Sequence, residues 1–183
     1  HFNELKSEQY FVKSGVRQGE YKSWTLEGFP KETGYYEKGL REGQWKLWYR
    51  LRKPLAVGNY SEDLKEGEWV YSYPEGGVRL KEFYLKGDSV GVWKSFYAPK
   101  EGGGVKELNS CFASQKQGFR RSYSQTGVLL EESLCGLGIL EGSFSRYDSQ
   151  ALPLIKGYYR AGKKDSVWQR LSVEGDVIER REW

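Results

Sequence analysis

The chain has 183 residues, which is room for one domain or one repeat array. Hydrophobic residues make up 38% and charged residues 30%, yet 7 Trp, 14 Tyr and 8 Phe are far more aromatics than a solvated tail carries. The sequence has no apolar run long enough for a transmembrane helix. One His, at position 1, and two Cys predict no metal site, no cofactor and no histidine-based catalysis.

The charge is mild and dispersed. The formal net charge is +4 at pH 7, and Lys and Arg alternate with Glu and Asp along the chain. Nucleic-acid binders concentrate basic charge on one face, and anionic lipids attract clustered basic residues, so neither partner is favoured. The densest basic spots are Arg50, Arg52 and Lys53 in one segment and Arg120 and Arg121 in another.

A 24-residue repeat dominates the sequence. Its anchor positions are spaced by 24 residues. The spacing is interrupted once, by a three-residue insertion that we place near 101–104. The anchors are Gly19, Gly43, Gly67, Gly91, Gly118, Gly142 and Ser166. The positions two residues after the anchors are mostly aromatic: Tyr21, Trp45, Trp69, Trp93, Arg120, Phe144 and Trp168. The positions seven residues before the anchors are mostly Tyr: Val12, Tyr36, Tyr60, Tyr84, Cys111, Cys135 and Tyr159. These columns predict a seven-repeat array that covers residues 1–183 as one domain.

Each repeat is typical of a β-hairpin. Two short aromatic runs flank a segment with a Gly at each end, such as Gly39 and Gly43, which predicts a turn with a three-to-five-residue loop. Glycine is expected there because such loops need positive φ. Successive hairpins predict an all-β, elongated antiparallel meander. The aromatic column containing Trp45, Trp69, Trp93 and Trp168 is expected to form a structural ladder that packs each repeat against its neighbour.

The pattern resembles the MORN repeat family, in its bacterial variant. Gly39, Gly43 and Trp45 carry the resemblance, with their equivalents in neighbouring copies. It is strongest over about 34–97 and 157–168, and weaker over 105–155, where Arg120 replaces the Trp. The resemblance implies a scaffolding or protein-interaction module without catalytic residues, and for some bacterial members an antitoxin-like partner role.

The two cysteines share one column of consecutive repeats. A regular meander places Cys111 and Cys135 two strands apart, at roughly 9.6 Å. Because a disulfide needs Cα atoms within about 7 Å, we expect two free, buried thiols. A disulfide is the alternative, and it requires the segment 105–135 to depart from regular geometry.

The function that the sequence predicts is a non-catalytic protein–protein interaction or scaffold module in a larger bacterial envelope complex. Because positions that break a repeat are often those released for function, another protein is expected to dock on Arg120 and Arg121 and on the basic segment of Arg50, Arg52 and Lys53. The alternatives are carbohydrate or cell-wall binding through exposed aromatic ladders and an antitoxin-like partner.

Enzymatic activity is not expected. Glu66, Glu68 and Glu75 are the carboxylates that could be paired for hydrolysis, but they do not stand out from the acidic background of the repeats. The sequence contains no Met and begins without a signal peptide, which favours a mature chain exported to the periplasm or cell surface; the cytoplasm is the alternative.

Overall fold

The computed structural model describes residues 7–48 and 54–183. The chain divides into two compact units, His1–Asp88 and Ser89–Trp183. Strands that pair antiparallel in chain order make up both units, which confirms the predicted all-β meander of hairpins. The presence of seven copies in a single domain stays a prediction. Among the described residues, no helix is both long enough and apolar enough to cross a membrane.

The first unit is a meander of antiparallel strands with a small ribbon at its start. Its strands are β1 (Glu8–Gln9), β2 (Val12–Lys13), β3 (Val16–Arg17), β4 (Gly19–Trp24), β5 (Pro30–Glu37), β6 (Leu40–Trp48), β7 (Pro54–Ser61), β8 (Leu64–Ser72) and β9 (Val78–Leu85). The pairing order is β1-β4-β5-β6-β7-β8-β9, and β2 pairs with β3 alone. A two-residue strand, β10 (Asp88–Ser89), lies where the units divide.

The second unit repeats this arrangement and adds a 3₁₀ turn. It contains β11 (Trp93–Phe96), the 3₁₀ helix Pro99–Glu101, β12 (Val105–Asn109), β13 (Gly118–Tyr123), β14 (Leu129–Gly136), β15 (Ile139–Tyr147), β16 (Pro153–Arg160), β17 (Lys163–Leu171) and β18 (Val177–Glu182). From β11 to β18 each strand pairs antiparallel with the next. The 3₁₀ helix lies in the segment where the repeat spacing indicated an insertion.

The hairpin turns are tighter than predicted. Only Lys38 and Gly39 join β5 to β6, and their φ values are 52° and 87°. A two-residue type I′ turn needs positive φ at both positions, and Gly accepts this without strain. The predicted three-to-five-residue loop is therefore wrong, because the second glycine of the pattern, Gly43, lies inside β6.

This second glycine occupies a β-bulge. Residues 43–45 of β6 lie opposite the single residue Gly34 of β5, because the register shifts there. Gly43 has a φ of 66°, which lets the strand kink. The kink turns the side chain of Trp45 back over Gly34. Equivalent bulges place Trp69 over Gly58 and Trp168 over Gly157.

The glycines under these indoles form a column that the sequence analysis missed. A Cβ atom at Gly34, Gly58 or Gly157 would overlap the ring of the Trp above it. Each lies five residues before a turn position, and Gly34 and Gly58 are 24 residues apart, which is the signal that could have revealed them. We call these three residues the stacking glycines.

Aromatic rings build the core of the first unit. Tyr21, Trp45, Ala56 and Trp69 are buried together. The ring of Tyr60 contacts both indoles edge-on, with centroids 5.9 Å from Trp45 and 5.0 Å from Trp69. The ladder in this unit therefore alternates Trp with Tyr, and such edge-to-face contacts add to the burial of apolar area.

The second unit has a comparable aromatic stack near its end. Trp168 stacks on Phe144 with centroids 5.3 Å apart, and Tyr159 contacts Trp168 edge-on at 5.1 Å. Trp93, at the start of the unit, packs instead against Phe112 at 4.9 Å. The four Trp residues of the expected ladder thus all make aromatic contacts, but each contact is to a Tyr or a Phe.

Cys111 and Cys135 form a disulfide, so the expectation of two free thiols is wrong. Their Cα atoms are 5.7 Å apart. β12 ends at Asn109, and residues 110–117 leave strand geometry before β13 begins. Cys111 can therefore approach Cys135 directly, beside Gly118, which pairs with Cys135 in the sheet.

We predict that Gly157→Ala destabilises the protein because the new Cβ overlaps the indole of Trp168. The expected loss in free energy of unfolding is about 1–3 kcal/mol. Urea denaturation followed by Trp fluorescence measures it. Gly104→Ala is the matched control, since neither glycine has positive φ and a Cβ at Gly104 only reaches ordinary contact, 3.9 Å from a backbone oxygen. Equal midpoints for the two variants would contradict the stacking role.

Reduction of the disulfide should lower the free energy of unfolding by about 3 kcal/mol, because the bond closes a loop with a sequence separation of 24. Urea midpoints with and without a dithiol reductant give this difference. The double variant Cys111→Ser, Cys135→Ser should be insensitive to reductant. A thiol assay that finds two free thiols in the untreated native protein would contradict the bond.

Candidate interaction surface

The basic segment of Arg50, Arg52 and Lys53 lies outside the described residues. In chain order it falls between β6, which ends at Trp48, and β7, which begins at Pro54. Its role as a docking site stays a prediction.

Arg120 and Arg121 do not form one surface. They are consecutive residues of β13, so their side chains point to opposite faces of the sheet. Arg120 forms an ion pair with Glu107, with Nε 2.7 Å from Oε1, and Arg121 forms one with Glu132 at 3.3 Å. A partner that docks on one face can contact only one of the two arginines.

The two ladder Trp residues of the first unit, Trp45 and Trp69, offer no open ring face. Trp45 and Trp69 are only 2% and 1% exposed. A cation lies over each ring: the Arg41 guanidinium is 5.9 Å from the Trp45 centroid, and Lys65 Nζ is 4.7 Å from that of Trp69. A sugar ring could not stack on either indole without displacing these side chains, so this geometry does not favour carbohydrate binding through the ladder.

The covering cations form another column that the sequence analysis missed. Its members lie two residues before the repeat anchors and contact aromatic rings of their own hairpin and of the next strand. They are Arg17, Arg41, Lys65 and Lys164. Cation–π contacts of this kind shield the rings from water and hold the long basic side chains in place. The 24-residue spacing of the first three was the available signal.

One cation of this column belongs to a partly buried polar network. Lys65 Nζ donates hydrogen bonds to the hydroxyls of Tyr71 (2.7 Å) and Tyr84 (3.2 Å), and the Tyr84 hydroxyl donates to Glu82 at 2.7 Å. Glu82 is buried and replaces the stacking glycine at this position of the repeat. The four polar groups therefore satisfy one another.

The network shifts the ionisation of its members. Burial lowers the pKa of Lys65, although Glu82 opposes this change. Burial and hydrogen bonding to Glu82 raise the pKa values of Tyr71 and Tyr84 far above the usual tyrosine range. Both effects follow from the cost of charging a group inside the sheet.

We predict that stability falls above about pH 10, where tyrosines ionise in the unfolded chain while Tyr71 and Tyr84 keep their protons in the folded one. The folded state then binds more protons, so the free energy of unfolding decreases as pH rises. Lys65, with its lowered pKa, acts in the opposite sense, but two tyrosines outweigh it. Urea midpoints against pH give the slope, and Tyr71→Phe with Tyr84→Phe should flatten it; an unchanged slope would contradict this account.

Glu66 and Glu68, two of the carboxylates considered for hydrolysis, take part in structural contacts. Glu66 accepts a hydrogen bond from the backbone N–H of Lys86 at 2.7 Å, in the turn of the next hairpin. Glu68 forms an ion pair with Lys81 at 3.1 Å. Glu75 is exposed between β8 and β9.

Exposed apolar side chains gather at the hairpin of β14 and β15. Leu134, Leu137 and Ile139 are 47%, 61% and 52% exposed. Leu134 pairs with Phe119 across β13 and β14, and Ile139 pairs with Gly136 at the turn. Paired residues share a face, so Phe119, Leu134 and Ile139 lie on one side of the sheet, with Leu137 at the turn beside them. We call these four residues the apolar tip.

An open groove of about 440 Å³ adjoins the apolar tip. It is lined by Gly91, Val92, Ser110, Gln115, Gln117, Gly118, Phe119 and Leu134. The guanidinium of Arg121 lies 4.9 Å from the centroid of the Phe119 ring, on the same face. Arg121 therefore borders this surface, whereas Arg120 lies on the other side of the sheet.

The sequence analysis missed the apolar tip. In the turn column that holds Leu137, the other described hairpins have Ser14, Lys38, Glu62, Lys86 and Ala161. A large apolar residue among polar or small ones was the signal. It was overlooked because the columns of Gly and Trp defined the repeat.

Comparisons with known proteins do not assign the chain to a family. No protein-family model matches the chain, and no curated protein matches it in sequence. Membership of the MORN family therefore stays a prediction based on Gly39, Gly43, Trp45 and their equivalents.

Proposed function

We propose that this protein is a non-catalytic scaffold that docks another protein, as an accessory or subunit of a bacterial envelope complex. The grouping of exposed Leu134, Leu137 and Ile139 at one hairpin carries the proposal. Soluble proteins expose apolar side chains singly as a rule, and contiguous apolar patches mark interaction surfaces. The adjoining groove extends this patch along the same face.

The internal use of the reactive and aromatic side chains supports a binding role over a chemical one. Lys65, Tyr71, Tyr84 and Glu82 bond to one another instead of facing an open cleft. The cations of the repeat cover aromatic rings. Apolar contact area and peripheral charge are what this sheet presents to another molecule.

The disulfide supports the proposed location. Structural disulfides persist in oxidising compartments such as the bacterial periplasm and the cell surface, and are rare in the cytosol. The bond between Cys111 and Cys135 joins the irregular segment to β14, directly behind the apolar tip. An exported scaffold would keep this bond through its working life.

The test is capture of partners from the source cells by mild crosslinking, with the captured proteins identified by mass spectrometry. We expect one stoichiometric protein partner from the cell envelope. Arg121→Ala should reduce its capture, because Arg121 borders the apolar tip. Arg120→Ala is the matched control and should not reduce capture, because it removes a neighbouring ion pair on the opposite face.

Neither arginine variant should change Tm appreciably, since exposed ion pairs contribute about 0–1 kcal/mol. Enrichment of envelope polysaccharide without a protein would contradict the scaffold proposal and favour the carbohydrate alternative. A captured toxin would favour the antitoxin-like role within the same class of function.

A further inference from the structure

Leu137 occupies a position that is unfavourable for leucine in two respects. It is the first residue of the turn between β14 and β15, with a φ of 51°, followed by Gly138 at 80°. Bulky residues reach this left-handed region only at a cost, which Asn and Gly avoid. Its side chain is also 61% exposed, so its apolar surface remains in water. Among the described residues of positive φ, it is the one large aliphatic.

The equivalent turn residues share this positive φ, so Leu137 is set apart by a large exposed apolar side chain where the other turns carry polar or small ones. Such exposed apolar surface is costly in water unless a bound state covers it, and a central apolar side chain surrounded by weaker contacts is typical of interface hot spots. We propose that the apolar tip and its groove bind a peptide segment of a partner protein that is apolar with acidic flanks. Leu137 is the central contact, and the proposal rests on the proposed scaffold function.

The acidic character of the partner follows from the charges beside the tip. Lys116 and Lys163 are exposed, and within the described part of the chain neither forms an ion pair. The Lys116 backbone lies against Gly136, and Lys163 directly follows Gly162, which contacts Ile139. The two lysines therefore flank the tip.

The carboxylates nearby offset part of this basic charge. Glu141 accepts a hydrogen bond from the backbone N–H of Ala161 at 2.7 Å. Asp165 forms an ion pair with Arg160 at 3.2 Å. A hydrogen bond from a neutral N–H leaves Glu141 its negative charge, but Lys116, Lys163 and Arg160 still exceed Glu141 and Asp165 by one positive charge. Acidic side chains in a partner complement this surplus.

The tip is held in one arrangement before binding. The backbone N–H of Leu137 donates to the carbonyl of Gln115 at 2.9 Å, and the disulfide fixes Cys135, two residues earlier. Gly138 packs against the backbone of Ala113. A surface that is already ordered loses less conformational entropy when a peptide binds.

The experiment uses a phage-displayed library of random peptides panned on the intact oxidised protein. We expect enriched peptides that combine large apolar residues with Asp or Glu. Their binding, measured by fluorescence polarisation with the synthetic peptide, should weaken with added salt. Leu137→Asn should weaken it at least about 30-fold, as loss of a hot spot does.

Leu137→Asn should at the same time raise the Tm of the free protein by about 2–4 °C, because Asn tolerates the left-handed turn. A merely structural Leu137 would give a lower Tm. Leu26→Asn is the control: Leu26 is 84% exposed in the loop between β4 and β5, and its replacement should leave peptide binding unchanged.

The proposal is overturned if panning enriches no peptide, if the enriched peptides lack acidic residues, or if Leu137→Asn binds them as the parent chain does. The crosslinking experiment separates this failure from that of the scaffold function. A partner captured equally by the parent chain and by Leu137→Asn leaves the scaffold function standing and refutes the apolar tip as its docking site.

Discussion

The contact on which the fold depends is the indole ring of a Trp lying flat on a glycine of the neighbouring strand. Only a residue without Cβ leaves space for the ring, as at Gly58 beneath Trp69. The Trp reaches that position only because its own strand bulges at a glycine of positive φ. A sheet without a covering layer must build its core from its own side chains. The indole rings that lie flat on the sheet form that core.

The repeat tolerates interruptions when other chemistry replaces this contact. Where Glu82 stands in the glycine column, a partly buried network with Lys65, Tyr71 and Tyr84 replaces the contact between Trp and Gly. A second interruption lies in the other unit, where the Trp column holds Arg120 and the flanking Tyr positions hold cysteines. There a covalent bond substitutes for aromatic packing.

The all-β meander could be predicted because columns of Gly, Trp and Tyr recur at a fixed spacing, and β-hairpins are the structures that such short aromatic runs form. The sequence could not show that Gly39 lies in the turn and Gly43 in a β-bulge, because turns and bulges both favour glycine for its positive φ. The disulfide was missed because the distance between Cys111 and Cys135 was derived for regular strands. The turn column does show Leu137 as a large apolar residue among polar or small ones, but its exposure comes only from the structure.

The disulfide also sets how far this part of the chain can be stretched. A chain under tension lengthens by the contour of whatever unfolds. The residues between Cys111 and Cys135, with a sequence separation of 24, would otherwise release roughly 80 Å of extended chain. With the bond closed, force passes across the bridge and bypasses β13 with its two arginines. Leu137 and Ile139 follow Cys135 and lie outside this closed loop, so they carry the pulling force, whereas Phe119 and Leu134 lie inside the loop and are shielded from it.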